Sequence, residues 1–549
     1  MNRKIIGIFL ESIKRYKYKL ALIVFTFVLA SLFSFLNPYI VKNIMDQGMA
    51  NKDFRYICML SLLLLLVYVC QQIINLFQAK LSIEVKNQFI NDLMGKSFAK
   101  LMRLKLEYFN KNNTTEIVRR LYHDAEMAGL IVDRNMISVL SYAVCMVSGC
   151  VGLILLNWKL SILVFLFVPI KSIIIYHMTI RNERLEREVI VKTSDFSSWF
   201  GNIINGIREV KLWNLYSVKG EEYRCKQQQI LAIDKKREMV NTYNICGDSM
   251  VNAILTVLLY TGGGWLVSNG RLSIGGLVAF LAYSLSVTGP ITSIMNLRYF
   301  FSSITPSIER MCDFFELEEE LSGNEIIGNN EFRNLTLENV TYAYGENKVI
   351  KNLNLKIERG DKIAIVGQNG VGKTTLIQLL LGFIRPADGN ICINGKEIGD
   401  IRLNDYRELF SIVSQNVYMF KDSVIHNLDL KNECDLEEIM LVCKKNGVDD
   451  VICNLPTGYH SLLEENGANL SGGERQKLAL IRAVLKKGEI LIMDEPTSQY
   501  DAVSADTFMN RIINEYKEKT MIIITHDNRV LDKVDKIYTL EKGRLAALS

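Results

Sequence analysis

Six long apolar runs within the first three hundred residues limit what this chain can fold into. They span residues 18–41, 56–78, 136–157, 160–180, 247–268 and 274–296. At 1.5 Å per residue, each run is long enough to cross a bilayer as an α-helix. Lipid tolerates no unpaired backbone groups, so the runs predict six transmembrane helices. The first run is too long for a signal peptide, and no small-residue cleavage site follows it.

Lysine and arginine residues are concentrated in alternate connections between these runs. The connections 79–134 and 181–245 carry ten and twelve of them. By contrast, the turn between the third and fourth runs contains only Lys159, and the turn between the fifth and sixth runs contains only Arg271. Basic connections remain in the cytoplasm. The pattern predicts a multi-pass protein of the cell membrane, with both termini and both long connections cytoplasmic. The net charge of +5 then reflects topology and not a nucleic-acid surface.

The two long connections are patterned more strongly than simple loops. Their apolar residues recur at three-to-four spacing with charges between them, which is typical of amphipathic helices. We expect membrane helices that extend far into the cytosol, joined by short crosswise helices near 110–122 and 205–216. The alternative is a loose amphipathic linker. Loops of this length without structure are uncommon, and neither connection contains proline.

The composition changes after the sixth run. We expect a transmembrane domain over 1–315, an acidic and Gly/Asn-rich linker over 316–333, and a second domain over 334–549. In the second domain, strand-like segments such as KIAIVG, EILIMDE and TMIIITH alternate with helical ones. This alternation predicts an α/β domain with a largely parallel sheet. The eleven cysteines are dispersed without a CxxC pair, so neither a zinc site nor a disulfide framework is expected.

A glycine-rich loop follows the strand KIAIV and opens a helix, and it matches G-x-x-x-x-G-K-T. The backbone N–H groups of such a loop surround a phosphate, the lysine adds a positive charge, and the threonine hydroxyl binds Mg²⁺. The pattern predicts a clamp for ATP and Mg²⁺. The alternative is a purely structural glycine turn. The candidate residues are Gly367, Gln368, Asn369, Gly370, Val371, Gly372, Lys373, Thr374 and Thr375.

A second candidate element is ILIMDEPTSQYD, residues 490–501. Its apolar residues predict a buried strand that delivers Asp494 to the Mg²⁺ shell. Glu495 comes next, and beside the terminal phosphate it could act as general base for an attacking water. The alternative is an ordinary strand followed by an acidic turn.

The segment LSGGERQ, residues 470–476, resembles the signature motif of ATP-binding-cassette (ABC) ATPases. Ser471 and the N–H groups of Gly472 and Gly473 would form an anion-binding cap at a helix start. The resemblance implies that this cap closes over ATP held by a second cassette, because the family's cassettes pair head to tail.

The resemblance also assigns roles to single residues in family order. Tyr344 matches the aromatic residue that stacks on adenine, and Gln415 matches the glutamine that contacts Mg²⁺ and senses the membrane domain. His526 matches the switch histidine that contacts the γ-phosphate. Asp501 matches the last residue of the family's S-A-L-D turn, but the sequence here is SQYD. The resemblance therefore leaves the contacts between subunits at this turn open. Glu465 loosely fits a glutamate that exporters place against the crosswise helices.

Over nearly its whole length the chain resembles an exporter-type ABC half-transporter. The implied fold is a six-helix transmembrane domain with long cytosolic helix extensions, followed by an α/β P-loop ABC nucleotide-binding domain. The implied function is ATP-hydrolysis-driven export by alternating access, with two copies forming a homodimer; a heterodimer stays open. Uptake through the same architecture, an ATP-gated channel and a regulatory sensor are the alternatives. Only about 17 residues precede the first run, so no leader-cleaving peptidase domain is expected.

The cargo is the least constrained part of the prediction. A small or modified peptide is expected, with a lipid or an amphipathic drug as alternatives. Lys171 lies within the fourth run, where a cation either faces a cavity and attracts an anionic group or reaches back to the interface. Gln71, Gln72 and Asn252 are further candidates for the cavity, or they bond between helices.

Overall fold

The computed structural model describes residues 15–295, 297–327, 332–497 and 502–548. The chain divides into two compact units. The first contains residues up to Met102 together with Asn112–Leu317, and the second contains Arg103–Lys111 together with Glu318 onward.

The first unit is helical throughout. The helices up to residue 316, numbered in chain order, are α1 (Lys17–Asn43), α2 (Phe54–Leu101), α3 (Leu106–Lys111), α4 (Thr114–Gly129), α5 (Arg134–Asn205), α6 (Ile207–Leu212), α7 (Tyr216–Ser268), α8 (Ile274–Met295) and α9 (Leu297–Glu316). Of these, α3 belongs to the second unit.

In the described residues, five helices are long and apolar enough to cross a membrane. Two of the six predicted spans, 136–157 and 160–180, fall together in α5. That 72-residue helix is interrupted at Asn157, which has extended backbone angles. The Asn157 side chain accepts a hydrogen bond from the Leu160 backbone N–H at 3.1 Å. Asn157 therefore acts as a local helix start between the two predicted spans, since it satisfies one of the N–H groups left free there.

The helical extensions predicted for the two long connections are present. Helices α2, α5 and α7 are 48, 72 and 53 residues long. The short helix expected near 205–216 is observed as α6, and the one expected near 110–122 overlaps the end of α3 and the start of α4. Leucine and isoleucine on these helices are widely exposed, as expected for surfaces that contact lipid.

The junction of α1 and α8 is held by one carboxylate. After α1 the chain continues as a π-helical turn, Ile44–Met49, which contains Asp46. The Asp46 carboxylate accepts hydrogen bonds from the Gly275 backbone N–H at 2.9 Å and from the Ser273 hydroxyl. A Cβ at Gly275 would come within 2.6 Å of the Asp46 Oδ1 atom. Asp46 thus caps the start of α8, where both the free N–H groups and the helix dipole favour a negative charge.

We expect Asp46→Ala to destabilise the first unit by about 1–2 kcal/mol, because α8 loses its cap. The measurement is thermal unfolding of the purified protein in detergent. Asp46→Asn keeps an acceptor oxygen without the charge, and it should lie between the alanine variant and the unsubstituted protein. Equal melting temperatures for the alanine variant and the unsubstituted protein would contradict the capping role.

The second unit contains two sheets and short helices. The elements are β1 (Asn334–Tyr344), β2 (Asn347–Glu358), β3 (Lys362–Val366), α10 (Lys373–Leu380), β4 (Asp388–Ile393), β5 (Lys396–Glu397), α11 (Leu403–Glu408), β6 (Phe410–Val413), α12 (Val424–Leu428), α13 (Leu436–Lys445), α14 (Asp449–Cys453), α15 (Gly472–Leu485), β7 (Ile490–Asp494), α16 (Ala502–Glu515), β8 (Thr520–Ile524), α17 (Asn528–Leu531), β9 (Lys536–Glu541) and β10 (Arg544–Leu548).

The larger sheet has the order β10-β9-β3-β8-β7-β6, and the smaller one has the order β2-β1-β4-β5. In the larger sheet, β9, β3, β8, β7 and β6 are mutually parallel, and β10 is antiparallel to β9. The smaller sheet is antiparallel. Strand β8 is buried at every residue, as a parallel sheet covered on both faces requires. The mainly parallel sheet predicted from the sequence is therefore present.

The stretch expected to act as a linker is bonded to the second unit over its described part. Glu320 pairs with Arg407 through two hydrogen bonds of 2.8 and 2.9 Å. The Glu320 backbone N–H also donates to the Arg103 carbonyl at 2.8 Å, and Gly323 donates to Ile401 at 3.0 Å. Residues 318–325 are thus hydrogen-bonded to the rest of this unit.

Candidate functional site

The candidate residues lie beyond the carboxyl ends of four parallel strands. The glycine loop follows β3, Gln415 follows β6, Asp494 ends β7, and His526 follows β8. In open α/β sheets, ligands bind at this edge because the connections there leave a crevice. The sheet order places β3, β8, β7 and β6 side by side. Residues more than 150 positions apart in sequence therefore converge on one place.

The glycine loop has the backbone that a phosphate clamp requires. Gly372 has φ +113°, and a Cβ there would lie 2.9 Å from the Val349 side chain. Only glycine fits such a position without strain. The next residue, Lys373, begins helix α10, and its ammonium donates to the Gly367 carbonyl at 2.9 Å. The loop thus ends at a helix N-terminus, where backbone N–H groups and the helix dipole favour an anion.

Glu495 lies at the centre of the charged groups in this crevice. Its carboxylate accepts a hydrogen bond from the Gln415 amide at 2.8 Å and lies 3.4 Å from the Lys373 ammonium. The His526 ring nitrogen is 3.3 Å from the same carboxylate and contacts Lys373. Glu495 also has φ +51°, a left-handed conformation that is unusual for a residue with a side chain. The structure therefore brings together four residues that the sequence singled out separately.

Asp494 differs from Glu495 in its surroundings. Burial raises the pKa of the Asp494 carboxyl, and the adjacent Glu495 charge adds to this effect. A bound cation would lower the pKa of Asp494 again, since an opposite charge favours the ionised carboxylate.

The donor set around the loop fits Mg²⁺ bound together with a nucleotide. Thr374, Gln415 and Asp494 offer hard oxygen atoms, which Mg²⁺ prefers. Among the described residues, no cluster of three or more His, Cys, Asp or Glu side chains forms a metal cage.

Tyr344 ends strand β1 and is 48% exposed, so its ring is accessible to a ligand. Its hydroxyl donates to the Gln378 side chain at 3.2 Å.

The signature segment forms a capped helix start. Ser471 is the N-cap of α15 and forms a capping box with Glu474. Gly472 and Gly473 are the first residues of this helix, so their N–H groups are available to an anion. The hydrogen bonds of the Ser471 hydroxyl are with Glu474 and not with the glycine loop. Asp501 lies outside the described residues.

In the first unit, Lys171 is buried in a polar cluster. Its ammonium is 2.8 Å from the Asp248 carboxylate. It also donates to the Asn252 side chain at 3.2 Å and to the Thr288 carbonyl at 2.8 Å. These three acceptors use all three ammonium hydrogens. Lys171 is 1% exposed and joins α5 to α7 and α8, so in this structure it neither faces an open cavity nor reaches an interface.

The other polar candidates are placed differently. Gln71 accepts a long hydrogen bond from Asn37 and donates to Ser34 at 3.3 Å, which links α2 to α1. Asn252 belongs to the Lys171 cluster, and Gln72 is exposed. In this cluster sequence reasoning missed Asp248, although its signal was present. A carboxylate at the start of an apolar run needs a partner, and Lys171 is a cation in another run.

Two family models match this chain. The model of the ABC transporter transmembrane region matches residues 20–291, and a second model, described as ABC transporter, matches residues 350–498. An ATP-dependent lipid A-core flippase of Desulfotalea psychrophila is 26% identical over 99% of this chain and 96% of its own length. A lactococcin transport/processing ATP-binding protein (LcnC-like) of Lactococcus lactis is also 26% identical, over 98% of this chain and 75% of its own length.

Among solved structures, a bacterial Atm1-family ABC exporter with ATP bound superimposes with a TM-score of 0.81. The superposition covers 97% of this chain and 95% of the exporter chain, at 20% sequence identity. This similarity establishes the fold. Three findings support the same family: the helices long and apolar enough to span a membrane, the α/β unit with its glycine loop, and the two family matches. The chain belongs to the ABC transporter family and is an ATP-hydrolysing membrane transporter with the exporter fold.

Proposed function

We propose that this protein exports an amphiphilic, lipid-like cargo across the cell membrane, driven by ATP hydrolysis in a pair of identical chains. The observation that carries the hydrolytic part is the convergence of Lys373, Gln415, Glu495 and His526 at one sheet edge. A regulator or channel has no need of an intact general base beside an intact clamp. The arrangement thus favours a pump over both.

The nucleotide site works through residues of this chain. The loop from Gly367 to Thr375 holds the phosphates through backbone N–H groups, and Lys373 balances their charge. Thr374, Gln415 and Asp494 would hold Mg²⁺, which neutralises charge on the phosphates when bound. Glu495 orients a water and takes its proton, while His526 hydrogen-bonds the terminal phosphate. Tyr344 stacks on the base.

A second copy supplies the signature segment. Ser471, Gly472 and Gly473 present an anion-binding helix start, yet within this chain the Ser471 hydroxyl bonds to Glu474. Pairing of two identical chains head to tail would place this helix start on the partner's phosphates and form two equivalent sites. With the basic connections on the cytoplasmic side, both sites and both termini face ATP.

The cargo proposal rests on a cavity in the helical unit and on the relatives' names. A cavity of about 260 Å³ has hydroxyl groups beside apolar side chains among its described lining residues. Such a surface suits an amphiphile. The lining residues are Met136, Ser138, Val139, Tyr142, Ser293, Leu297 and Phe300. A flippase among the relatives favours lipid, and the lactococcin transporter makes a peptide the second candidate.

The experiment is ATP-dependent movement of a labelled phospholipid in proteoliposomes. Fluorescent phosphatidylethanolamine is followed by dithionite quenching, and ATPase activity is measured in parallel in nanodiscs. A cationic amphipathic peptide and a hydrophobic cationic dye are tested beside the lipid. We expect the lipid to be moved, and Ser293→Leu to reduce its movement several-fold because the cavity loses a hydroxyl and space. Ser268→Leu, on the exposed end of α7, is the matched control.

Movement of the peptide alone would replace the lipid proposal with the second candidate. Steady hydrolysis with no movement of any probe would contradict export of these classes. Loss of hydrolysis in every preparation would contradict the proposal that two identical chains suffice.

A further inference from the structure

Tyr344, the residue proposed to stack on the nucleotide base, contacts two neighbours that have no assigned role. Tyr342 lies two residues before Tyr344 on β1, so both side chains project from the same face of the strand. Their ring centroids are 5.0 Å apart, with an interplanar angle of 86°. Edge-to-face contact of this kind is a favoured aromatic geometry. Tyr342 therefore restrains the tilt of the Tyr344 ring.

A second restraint comes from the helix of the phosphate clamp. The Tyr344 hydroxyl donates to the Gln378 side chain at 3.2 Å, and Gln378 lies on α10, which begins at Lys373. One end of the Tyr344 side chain is thus bound to the strand that carries it. The other end is bound to the helix that carries the phosphate-binding lysine. The hydrogen bond thereby links the Tyr344 ring to the helix that follows the glycine loop, although only about half of the Tyr344 surface is covered.

The pairing of β1 with β2 explains why this geometry occurs here. The register shifts by one residue between Tyr342, opposite Ile350, and Ala343, opposite Lys348. The unpaired residue is Val349, whose side chain is the group nearest to a Cβ built at Gly372. A bulge of this kind redirects side chains and is common beside active sites. The same irregularity therefore lies beside both the strand that carries Tyr344 and the glycine loop.

We propose that Tyr342 and Gln378 are positioning residues that orient the Tyr344 ring for stacking on the nucleotide base. The inference rests on the proposed role of Tyr344. Neither residue touches the phosphates, so both should affect nucleotide affinity and leave the maximal rate nearly unchanged. Tyr342 packs against the buried core of its unit, and burial raises the pKa of its hydroxyl, so its ring rather than its charge acts here.

The test is a double-mutant cycle read as KM for ATP, kcat and the affinity for a fluorescent ATP analogue. We expect Tyr344→Ala to raise KM about tenfold, and Tyr342→Leu and Gln378→Leu to raise it about two- to tenfold, with kcat nearly constant. Tyr342→Phe keeps the ring and Gln378→Glu keeps the acceptor, so both should retain the unsubstituted KM. In a Tyr344→Ala background, Tyr342→Leu and Gln378→Leu should add nothing, because they act through Tyr344.

Equal effects of Tyr342→Leu and Gln378→Leu in both backgrounds would overturn the inference and leave a general structural role. So would a fall in kcat with unchanged KM. An unchanged KM in Tyr344→Ala itself would instead overturn the stacking role, and the inference with it. If Tyr342→Leu fails to fold by thermal melting, the Gln378 pair of variants decides the question.

Discussion

Glu495→Gln should bind ATP normally and lose at least ~100-fold of its turnover, which is the usual contribution of a general base. The amide keeps the size of the carboxylate and can still accept a hydrogen bond from Gln415. It cannot take a proton from water. Because Glu495 is backbone-bonded to Ile524 at 2.8 Å and held in a left-handed conformation, its position should change little on substitution. Phosphate release measures turnover, and a fluorescent ATP analogue measures affinity.

The matched control is Glu358→Gln on the same unit. Glu358 is an exposed glutamate paired with Lys356, and it is remote in the fold from the four-residue convergence. Its turnover should equal that of the unsubstituted protein. Undiminished hydrolysis in Glu495→Gln would remove Glu495 from the base role. A large loss of ATP affinity would show instead that the variant disturbs the clamp.

The cassette was predictable because its chemistry is encoded in short contiguous motifs. The residues from Gly367 to Thr375 form one loop and the first turn of the following helix, and Asp494 ends one strand with Glu495 directly after it, so spacing alone implies their geometry. Their convergence with Gln415 and His526 depends on the strand order, which local sequence does not reveal. The family resemblance supplied these two residues. Tyr342 and Gln378 were missed because a ring contact and an amide acceptor leave no distinctive pattern.

The helical unit was predictable at a coarser level. The apolar runs predicted which segments are membrane helices. They did not predict the break at Asn157, because an asparagine that caps a helix cannot be distinguished in the sequence from any other polar residue. The partner of Lys171 was hidden for a related reason. Asp248 lies 77 positions away in a different run, and pairing across helices depends on packing that periodicity does not determine.

Removing either partner of the Lys171–Asp248 ion pair should strongly destabilise the helical unit. Lys171→Met leaves the Asp248 carboxylate without its cation, and Asp248→Asn leaves the ammonium without its anion. Removing one partner of a buried pair typically destabilises a protein by about 3–5 kcal/mol, because the remaining charge stays desolvated. We expect each single variant to unfold at a clearly lower temperature in nanodiscs and to lose ATPase activity as the helices α5, α7 and α8 separate.

The double variant Lys171→Met/Asp248→Asn distinguishes a charge effect from a packing effect. Both charges are gone, and the Asn252 and Thr292 side chains around the pair can bond to the new amide. Stability and ATPase activity should therefore recover well beyond either single variant, since replacing both partners is often nearly neutral. Lys159→Met, an exposed lysine of the same helix, should change neither. A double variant as unstable as the worse single variant would show that the stability comes from the packing and hydrogen bonds of Lys171 with Asn252 and Thr288, and not from the ion pair.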